Sequence, residues 1–569
     1  MFTVSGKALA LLLPWVLLGL QSPASAAPAD VPDSQTTIPS SAAPVVNLGY
    51  AQYQGVPNTK GNTDFLGIRY AAPPVGNLRF REPQSPATVK GVQVANKQPN
   101  VCSQGVFGAN SVSPYRGSNF TGFTGTSTSL TERDGETPPV SEDCLFLNVV
   151  VPGTNIKPST KRPVVVWIHG GGYGQGSASW TGFSPGAYDG NDLVKISDGK
   201  AVVVLVQYRL GLQGFLAGEE VKKNGALNAG LLDQQFALKW VQKHISNFGG
   251  DPGQVTIWGQ SAGAGSVLQQ LLANGGQTQP PLFKQAILSS LYLPPQFKYN
   301  ERIPEAIFND VATQAGCGSA SDKLECLRSV DSSVLDEVHK AVDAAGFFGT
   351  FTFSPVVDGT FIRDSPLRAI QQKKINKANI LALTNSAEGA IFINPNTTSI
   401  EEYTAGLLPT LPSEQVKTAA SQYAGSGSAV DQAGSVYGES LFICPTYNLL
   451  RALNGKVHKG EYAVPPAHHG DDLLYYFPTS SETGPTFKNP DFVNTFAGLY
   501  LDFVVTGKPN ANRQGSLLPP TWPTWSEGSP KQVVFNRTGD APAIALENSP
   551  DALLERCRYW DSVANSIGH

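Results

Sequence analysis

From Pro163 onwards the chain alternates between short, almost wholly apolar runs and longer amphipathic stretches. Residues 164–168, 201–206, 255–258 and 380–383 are such runs, dominated by Val, Ile, Leu and Trp. At that length and with so many β-branched side chains, they read as strands buried on both faces. Residues 233–244 carry Phe236, Leu238, Trp240 and Val241 on one side and read as a helix. Residues 533–535 form a late strand and residues 551–562 a C-terminal helix. Strands alternating with helices predict an α/β fold: a large, mainly parallel sheet covered by helices on both faces.

The first 45 residues fall outside this pattern. Residues 1–26 combine Lys7, an apolar segment over residues 8–20 and Ala24-Ser25-Ala26, the layout of a secretory signal peptide with an A-x-A cleavage site. That apolar segment is too short to span a bilayer, no later stretch reaches spanning length, and the C-terminal residues carry no hydrophobic tail. A secreted, extracellular protein without a membrane anchor is therefore expected. Residues 27–45, rich in Ala, Pro, Ser and Thr, read as a disordered lead-in. Residues 46–569 read as one domain. Length alone would allow three or four, but the motifs below are spread along the chain and must converge on one site.

Composition narrows the choice. A formal net charge of −4 on 569 residues leaves no electrostatic footprint for nucleic acid or an anionic membrane. Six cysteines in a secreted chain fit three disulfides. Asn119, Asn396 and Asn536 each head an N-x-T sequon, an acceptor site for an N-glycan. Between Cys102 and Cys144 lie 41 residues rich in Gly, Ser and Thr, with Phe107, Tyr115, Phe120 and Phe123 scattered among them. A loop of that length without periodicity is either functional or disordered. If its two cysteines pair, it becomes a tethered flap able to cover a site.

The chemistry centres on Gly259-Gln260-Ser261-Ala262-Gly263, which follows the strand 255–258 and leads into a helical stretch. Strand, G-x-S-x-G and helix together make a nucleophile elbow, a turn so tight that a Cβ at either glycine would collide with strand or helix. It lifts Ser261 Oγ to the top of a sheet and aims a helix N-terminus at any anion formed there. His169-Gly170-Gly171-Gly172-Tyr173 follows the strand 164–168. It fails the G-x-G-x-x-G register of a dinucleotide loop and reads better as an HGGG-type oxyanion loop. Gly171, Gly172 and Ala262 would then supply backbone N–H donors.

A serine nucleophile needs a base and an acid to orient it, in the chain order Ser, acid, His. Of the seven histidines, His458, His468, His469 and His569 lie late enough. His569 is terminal and His458 sits in what reads as a polar turn, so both are expected at the surface. His468 and His469 lie in a loop, and His469 is favoured for its glycine neighbour. The doublet does not suggest a metal, since adjacent side chains diverge and no H-x-x-x-H or C-x-x-C spacing exists. For the acid, Glu388 follows the strand 380–383 and precedes an apolar segment. It is either a surface loop charge or a buried carboxylate that needs an imidazolium partner. Leu291, Leu293, Ile391 and Phe392 are expected as apolar pocket walls.

These residues resemble the type-B carboxylesterase family of α/β-hydrolases, which includes cholinesterases and fungal secreted lipases. The opening motif Phe65-Leu66-Gly67-Ile68-Arg69-Tyr70-Ala71-Ala72-Pro73-Pro74 and the signature Ser141-Glu142-Asp143-Cys144-Leu145-Phe146-Leu147-Asn148-Val149 carry the likeness. So do Tyr208-Arg209-Leu210-Gly211, Gly230-Leu231-Leu232-Asp233-Gln234 and Phe248-Gly249-Gly250-Asp251-Pro252, so that it covers nearly the whole mature chain. The resemblance implies a Ser261–Glu388–His469 triad, an oxyanion hole of Gly171, Gly172 and Ala262, and no cofactor. It implies disulfides Cys102–Cys144, Cys317–Cys326 and Cys444–Cys557, and structural ion pairs Arg79–Glu142 and Arg209–Asp233. It also implies a secreted serine hydrolase of small-molecule or lipid carboxylic esters, working through an acyl-enzyme and touching lipid at most transiently. The alternatives are a triacylglycerol lipase with a mobile lid and a non-catalytic adhesion protein of the same fold. Two departures stand out: Gln260 replaces the Glu usual before the nucleophile, and Ala387 the Asp usual before the acid. Altered hydrogen bonding around the triad is expected from both. The flap lacks the tryptophan that cholinesterases use to hold a cation, which argues against choline esters.

Overall fold

The computed structural model describes residues 43–116, 138–179, 188–479, 481, 484–510, 517 and 521–569. The expected signal peptide, most of the lead-in and the tip of the 102–144 loop, with Asn119, Phe120 and Phe123, lie outside the described residues. Val45, placed in the lead-in, opens the first strand. In chain order the strands are β1 (Val45–Asn47), β2 (Gln52–Gln54), β3 (Val56–Pro57), β4 (Thr63–Arg69), β5 (Val92–Val94), β6 (Phe146–Val151), β7 (Arg162–Ile168) and β8 (Val202–Val206). They continue with β9 (Gly250–Gln260), β10 (Gln285–Ser289), β11 (Asn379–Asn385), β12 (Val457–Tyr462), β13 (Thr524–Trp525), β14 (Lys531–Thr538) and β15 (Ala541–Asn548).

Among the described residues, β1, β2 and β5 form a small sheet and the other twelve strands a large one. The centre of the large sheet runs β8-β7-β9-β10-β11-β12-β14, every neighbour parallel. Antiparallel strands close both sides, β6, β4 and β3 beyond β8 and β15 beyond β14. This is the α/β-hydrolase architecture with a parallel core and antiparallel margins.

The period of two along the central strands explains why they read as continuous apolar runs. Val164, Val166 and Ile168 of β7 and Val255 and Ile257 of β9 face one core. Val165 and Trp167 of β7 and Trp258 of β9 face the other. Each face must therefore be covered. The helices Ala229–His244 and Ala262–Gly276 contribute to the first core. The helix Pro490–Thr506 contributes Phe492, Phe496 and Tyr500 to the second, where Trp258 stacks on Tyr500 and meets Trp167 edge-on.

The three disulfides join Cys102 to Cys144, Cys317 to Cys326 and Cys444 to Cys557. Both ion pairs are present: Arg79 and Glu142 meet at 2.6 Å, and Arg209 forks onto a fully buried Asp233 at 2.7 and 2.8 Å. Asn396 is exposed and Asn536 half-exposed on β14. No helix among the described residues is long and apolar enough to cross a membrane.

Two expectations fail. The segment around His458, read as a polar turn, is the parallel strand β12, and His458 is only partly exposed. Polarity is accommodated there because Lys459, fully buried, donates from Nζ to Thr384 Oγ1 at 2.8 Å and to the carbonyl of Gly460. Burial lowers the Lys459 ammonium to about 8. His569 is also buried, and burial lowers its imidazole to about 4.

Candidate active site

The C-terminal ends of four parallel strands converge. β7 leads into the glycine loop, β9 into Ser261, β11 towards Glu388 and β12 into the loop that carries His469. In such sheets this edge is where loops are free to build a site.

The elbow owes its geometry to its glycines. Ser261 caps the helix with φ 59° and ψ −126°, a conformation that costs a non-glycine residue roughly 1–3 kcal/mol and persists because the surroundings fix it. A Cβ on Gly259 would lie 2.3 Å from the backbone of Gly263, and one on Gly263 2.0 Å from the carbonyl of Ile168. Strand and helix approach too closely for any side chain at either position. Ser261 N–H donates to the carbonyl of Ser289 at 3.0 Å, which ties the turn to β10.

The glycine loop lies directly against the elbow, because β7 and β9 pair Ile168 with Gly259. A Cβ on Gly170 would fall 3.0 Å from Ser261 Cβ. Gly171 and Gly172 have φ of 100° and 62°, a backbone region that favours glycine. No acceptor among the described residues takes the N–H of Gly171, Gly172 or Ala262. Ala262 N–H lies in the first turn of the helix Ala262–Gly276, whose leading N–H groups have no intrahelical acceptor. His169 anchors the loop from behind. Its ring stacks on Tyr208 at 4.5 Å, and burial lowers it to about 4, so as a neutral ring it donates from Nδ1 to the carbonyl of Gly170.

His469 and Glu388 meet at 2.6 Å between Nδ1 and Oε2, both buried. The other oxygen of Glu388 accepts the N–H of Asn385 at 2.7 Å. His469 Nε2 points back towards the elbow, where Gln260 Nε2 lies 3.2 Å away. Rings of Phe442 and Phe392 pack on the imidazole at 4.5 and 5.4 Å. Phe442 belongs to a π-helical turn, Glu439–Ile443, a distortion that often marks functional sites. His468 is part-buried, and its N–H donates to Asp471 at 2.8 Å.

Three contributors escaped sequence reasoning. Asn385 donates its side-chain amide to the carbonyl of His468 at 2.6 Å and to Asp472 Oδ1 at 3.2 Å, clamping the acid loop to the histidine loop. Its only signal was its place as the polar residue closing an apolar strand. Asp472 is fully buried, and burial with the nearby Glu388 charge raises its carboxyl to about 7. Phe351 lies so close to Gly172 that a Cβ there would sit 2.0 Å from its ring.

Phe351 also lines an apolar cavity, with Tyr292, Ile303, Phe347, Phe353 and Leu441. Tyr292 donates its N–H to the Ser261 carbonyl at 3.3 Å, so one wall touches the elbow and another the glycine loop. None of the four residues expected as pocket walls lines this cavity. Leu291 and Leu293 are buried in the core on either side of Tyr292, whose side chain alone of the three reaches the cavity. Phe392 turns to His469, and Ile391 is 47% exposed. The base of the 102–144 loop is fastened to the 344–350 segment by Gly108, Ala109 and Asn110, and its Phe107 packs on Phe351 at 4.8 Å. No group of three or more His, Cys, Asp or Glu among the described residues is placed to hold a metal ion.

A family model described as the carboxylesterase family matches residues 42–548. Carboxylesterase patB of Aspergillus clavatus is 31% identical over 99% of this chain and 100% of its own length. Lipase 4 of Diutina rugosa is 37% identical over 58% of this chain, a match that spans 59% of that lipase. The crystal structure of Aspergillus niger EstA superposes with a TM-score of 0.78 at 30% identity, covering 93% of this chain and 99% of EstA. The protein belongs to the carboxylesterase family and is a carboxylic ester hydrolase.

Proposed function

We propose that the protein is a secreted esterase that works through an acyl-enzyme on Ser261. The contact that carries this reading is the buried 2.6 Å bond between Glu388 and His469 Nδ1, with Nε2 turned to the elbow. Ser261 Oγ attacks the ester carbonyl while His469 Nε2 takes its proton. The carbonyl oxygen becomes an oxyanion held by the N–H groups of Gly171, Gly172 and Ala262. The tetrahedral intermediate collapses, the C–O bond to the alcohol breaks, and His469 returns the proton to the leaving alkoxide. Water then attacks the acyl-serine with His469 again as base, releasing the acid and restoring Ser261. Glu388 holds the ring and stabilises the imidazolium without taking a proton.

The apolar cavity bounded by Tyr292 and Phe351 supports an acyl chain as the recognised part of the substrate. It also gives the triacylglycerol-lipase reading its one structural argument. Secretion is supported by the signal-like residues 1–26 and by three disulfides, which persist in oxidising compartments.

Initial rates on p-nitrophenyl esters from acetate to palmitate test the proposal. Ser261→Ala is expected to lose about 10⁴–10⁶ in kcat. His469→Ala is expected to be severe and His468→Ala mild. Wild-type rates for Ser261→Ala would overturn the mechanism. A maximum at short, soluble esters is expected. A maximum at long chains that steepens on emulsions would replace it with the lipase reading.

A further inference from the structure

Gln260 stands between two parts of the site. Its Oε1 side abuts Gly170, where a Cβ would come within 3.0 Å of that oxygen, and its Nε2 lies 3.2 Å from His469 Nε2. Both side chains are buried, Gln260 at 4% and His469 at 9% exposure. We infer that Gln260 is a positioning residue whose amide N–H donates to His469 Nε2 and holds that nitrogen as the proton acceptor of the ring. The inference rests on the proposed role of His469 as base.

The argument is one of donors and acceptors. An amide NH₂ can face a ring nitrogen only if that nitrogen offers its lone pair. The ring proton is then confined to Nδ1, where Glu388 accepts it at 2.6 Å. The resting ring is thus held in the tautomer able to accept from Ser261, as well as in place. Once Nε2 carries a proton, donor faces donor, so the amide favours the state that precedes proton transfer. A carboxylate at position 260, the residue the family pattern leads one to expect, would do the reverse. It would accept from a protonated Nε2 and so favour protonation of that nitrogen.

Other charges near the ring do not change in the comparison. Glu388 lies at Nδ1, Asp471 and Asp472 lie on the histidine loop, and Lys459 on β12 faces Glu388. Phe392 and Phe442, which cover the ring, are uncharged.

The test is the pH profile of kcat/KM on one soluble ester for the wild type, Gln260→Glu and Gln260→Met, with melting temperatures alongside. Gln260→Glu is expected to move the acid limb up by about one pH unit, an opposite charge beside the ring being the cause. Its loss is then about tenfold on that limb and small on the alkaline plateau. Gln260→Met, which cannot donate, loses the amide's preference for the unprotonated Nε2, so its acid limb is expected to move up by less than that of Gln260→Glu, with KM unchanged and kcat on the plateau lowered about three- to tenfold by the loosened ring. Acid limbs that coincide in the wild type and Gln260→Glu overturn the inference. So does a Gln260→Met with wild-type kcat. Parallel losses in both variants, with lowered melting temperatures and no movement of the limb, would assign Gln260 to packing alone and also overturn it. Failure of the base assignment shows separately, as His469→Ala retaining wild-type rates.

Discussion

Asn385 and His468 are joined by a 2.6 Å hydrogen bond from a side-chain amide to a backbone carbonyl, although 83 residues separate them. The same Asn385 offers its backbone N–H to Glu388. One residue at the end of β11 thus holds both Glu388 and the loop from which His469 projects. Asn385→Ala should lower kcat about ten- to hundredfold with KM changed by less than about threefold, since it loosens geometry rather than substrate contacts. Stability should fall by about 1–3 kcal/mol, the cost of leaving the part-buried His468 carbonyl and the buried Asp472 carboxyl without their donor. Steady-state kinetics and denaturant melts on the same variant check both.

Gly172 and Phe351 share one space. Gly172→Ala should cost about 10²–10³ in kcat, because the new methyl collides with the ring and the φ of 62° disfavours any Cβ. Adding Phe351→Ala removes the collision and leaves the backbone strain. The double variant is expected to recover about tenfold over Gly172→Ala alone, a partial rescue consistent with coupling between touching residues. No recovery would place the whole loss in the backbone.

Asp472 should make stability depend on pH. Its carboxyl rises from 3.8 to about 7 on folding, chiefly through burial and then through the charge of Glu388. The folded state therefore binds this proton more tightly than the unfolded chain does. Its stabilising contribution is complete below about pH 4 and is lost as pH rises through about 7. Asp472→Asn keeps an oxygen for the Asn385 amide and removes the titration. Its melting temperature should match the wild type below about pH 4 and exceed it by a few degrees at pH 8. Equal pH dependence in the two proteins would show that Asp472 does not titrate in this range.

The elements legible in the sequence were those whose cause is local. The strands β7, β9 and β11 appear as apolar runs because both faces of the central sheet are covered. The helix Asp551–Ser562 matches its expected limits at both ends. The G-x-S-x-G turn announced itself because steric demand leaves glycine no substitute at positions 259 and 263.

What stayed hidden depends on distant partners. The helix expected from residue 233 begins at Ala229, because Gly230 packs where a Cβ would meet the carbonyl of Arg209 at 2.4 Å. A glycine needed for close approach looks, in sequence, like a helix breaker. β12 escaped notice because Lys459 finds its acceptors on the neighbouring strand and in its own backbone. The cavity walls could not be assigned because which of Leu291, Tyr292 and Leu293 faces it depends on a turn with φ 56° at Ser290. Phe442 reaches His469 through a π-turn, which apolar spacing cannot distinguish from an ordinary helix.

β10 supplies none of the candidate groups, yet it lies between the strand that ends at Ser261 and the strand that leads to Glu388. From β7 to β12 the site spans four strand spacings, about 19 Å. It is assembled from chain segments that share no local contact until the sheet has formed. Reactivity is therefore a gauge of alignment. A slip small enough to leave Trp167 and Trp258 dry would already separate imidazole from serine, so on gradual denaturation turnover should fail before indole fluorescence reports any loss of the core.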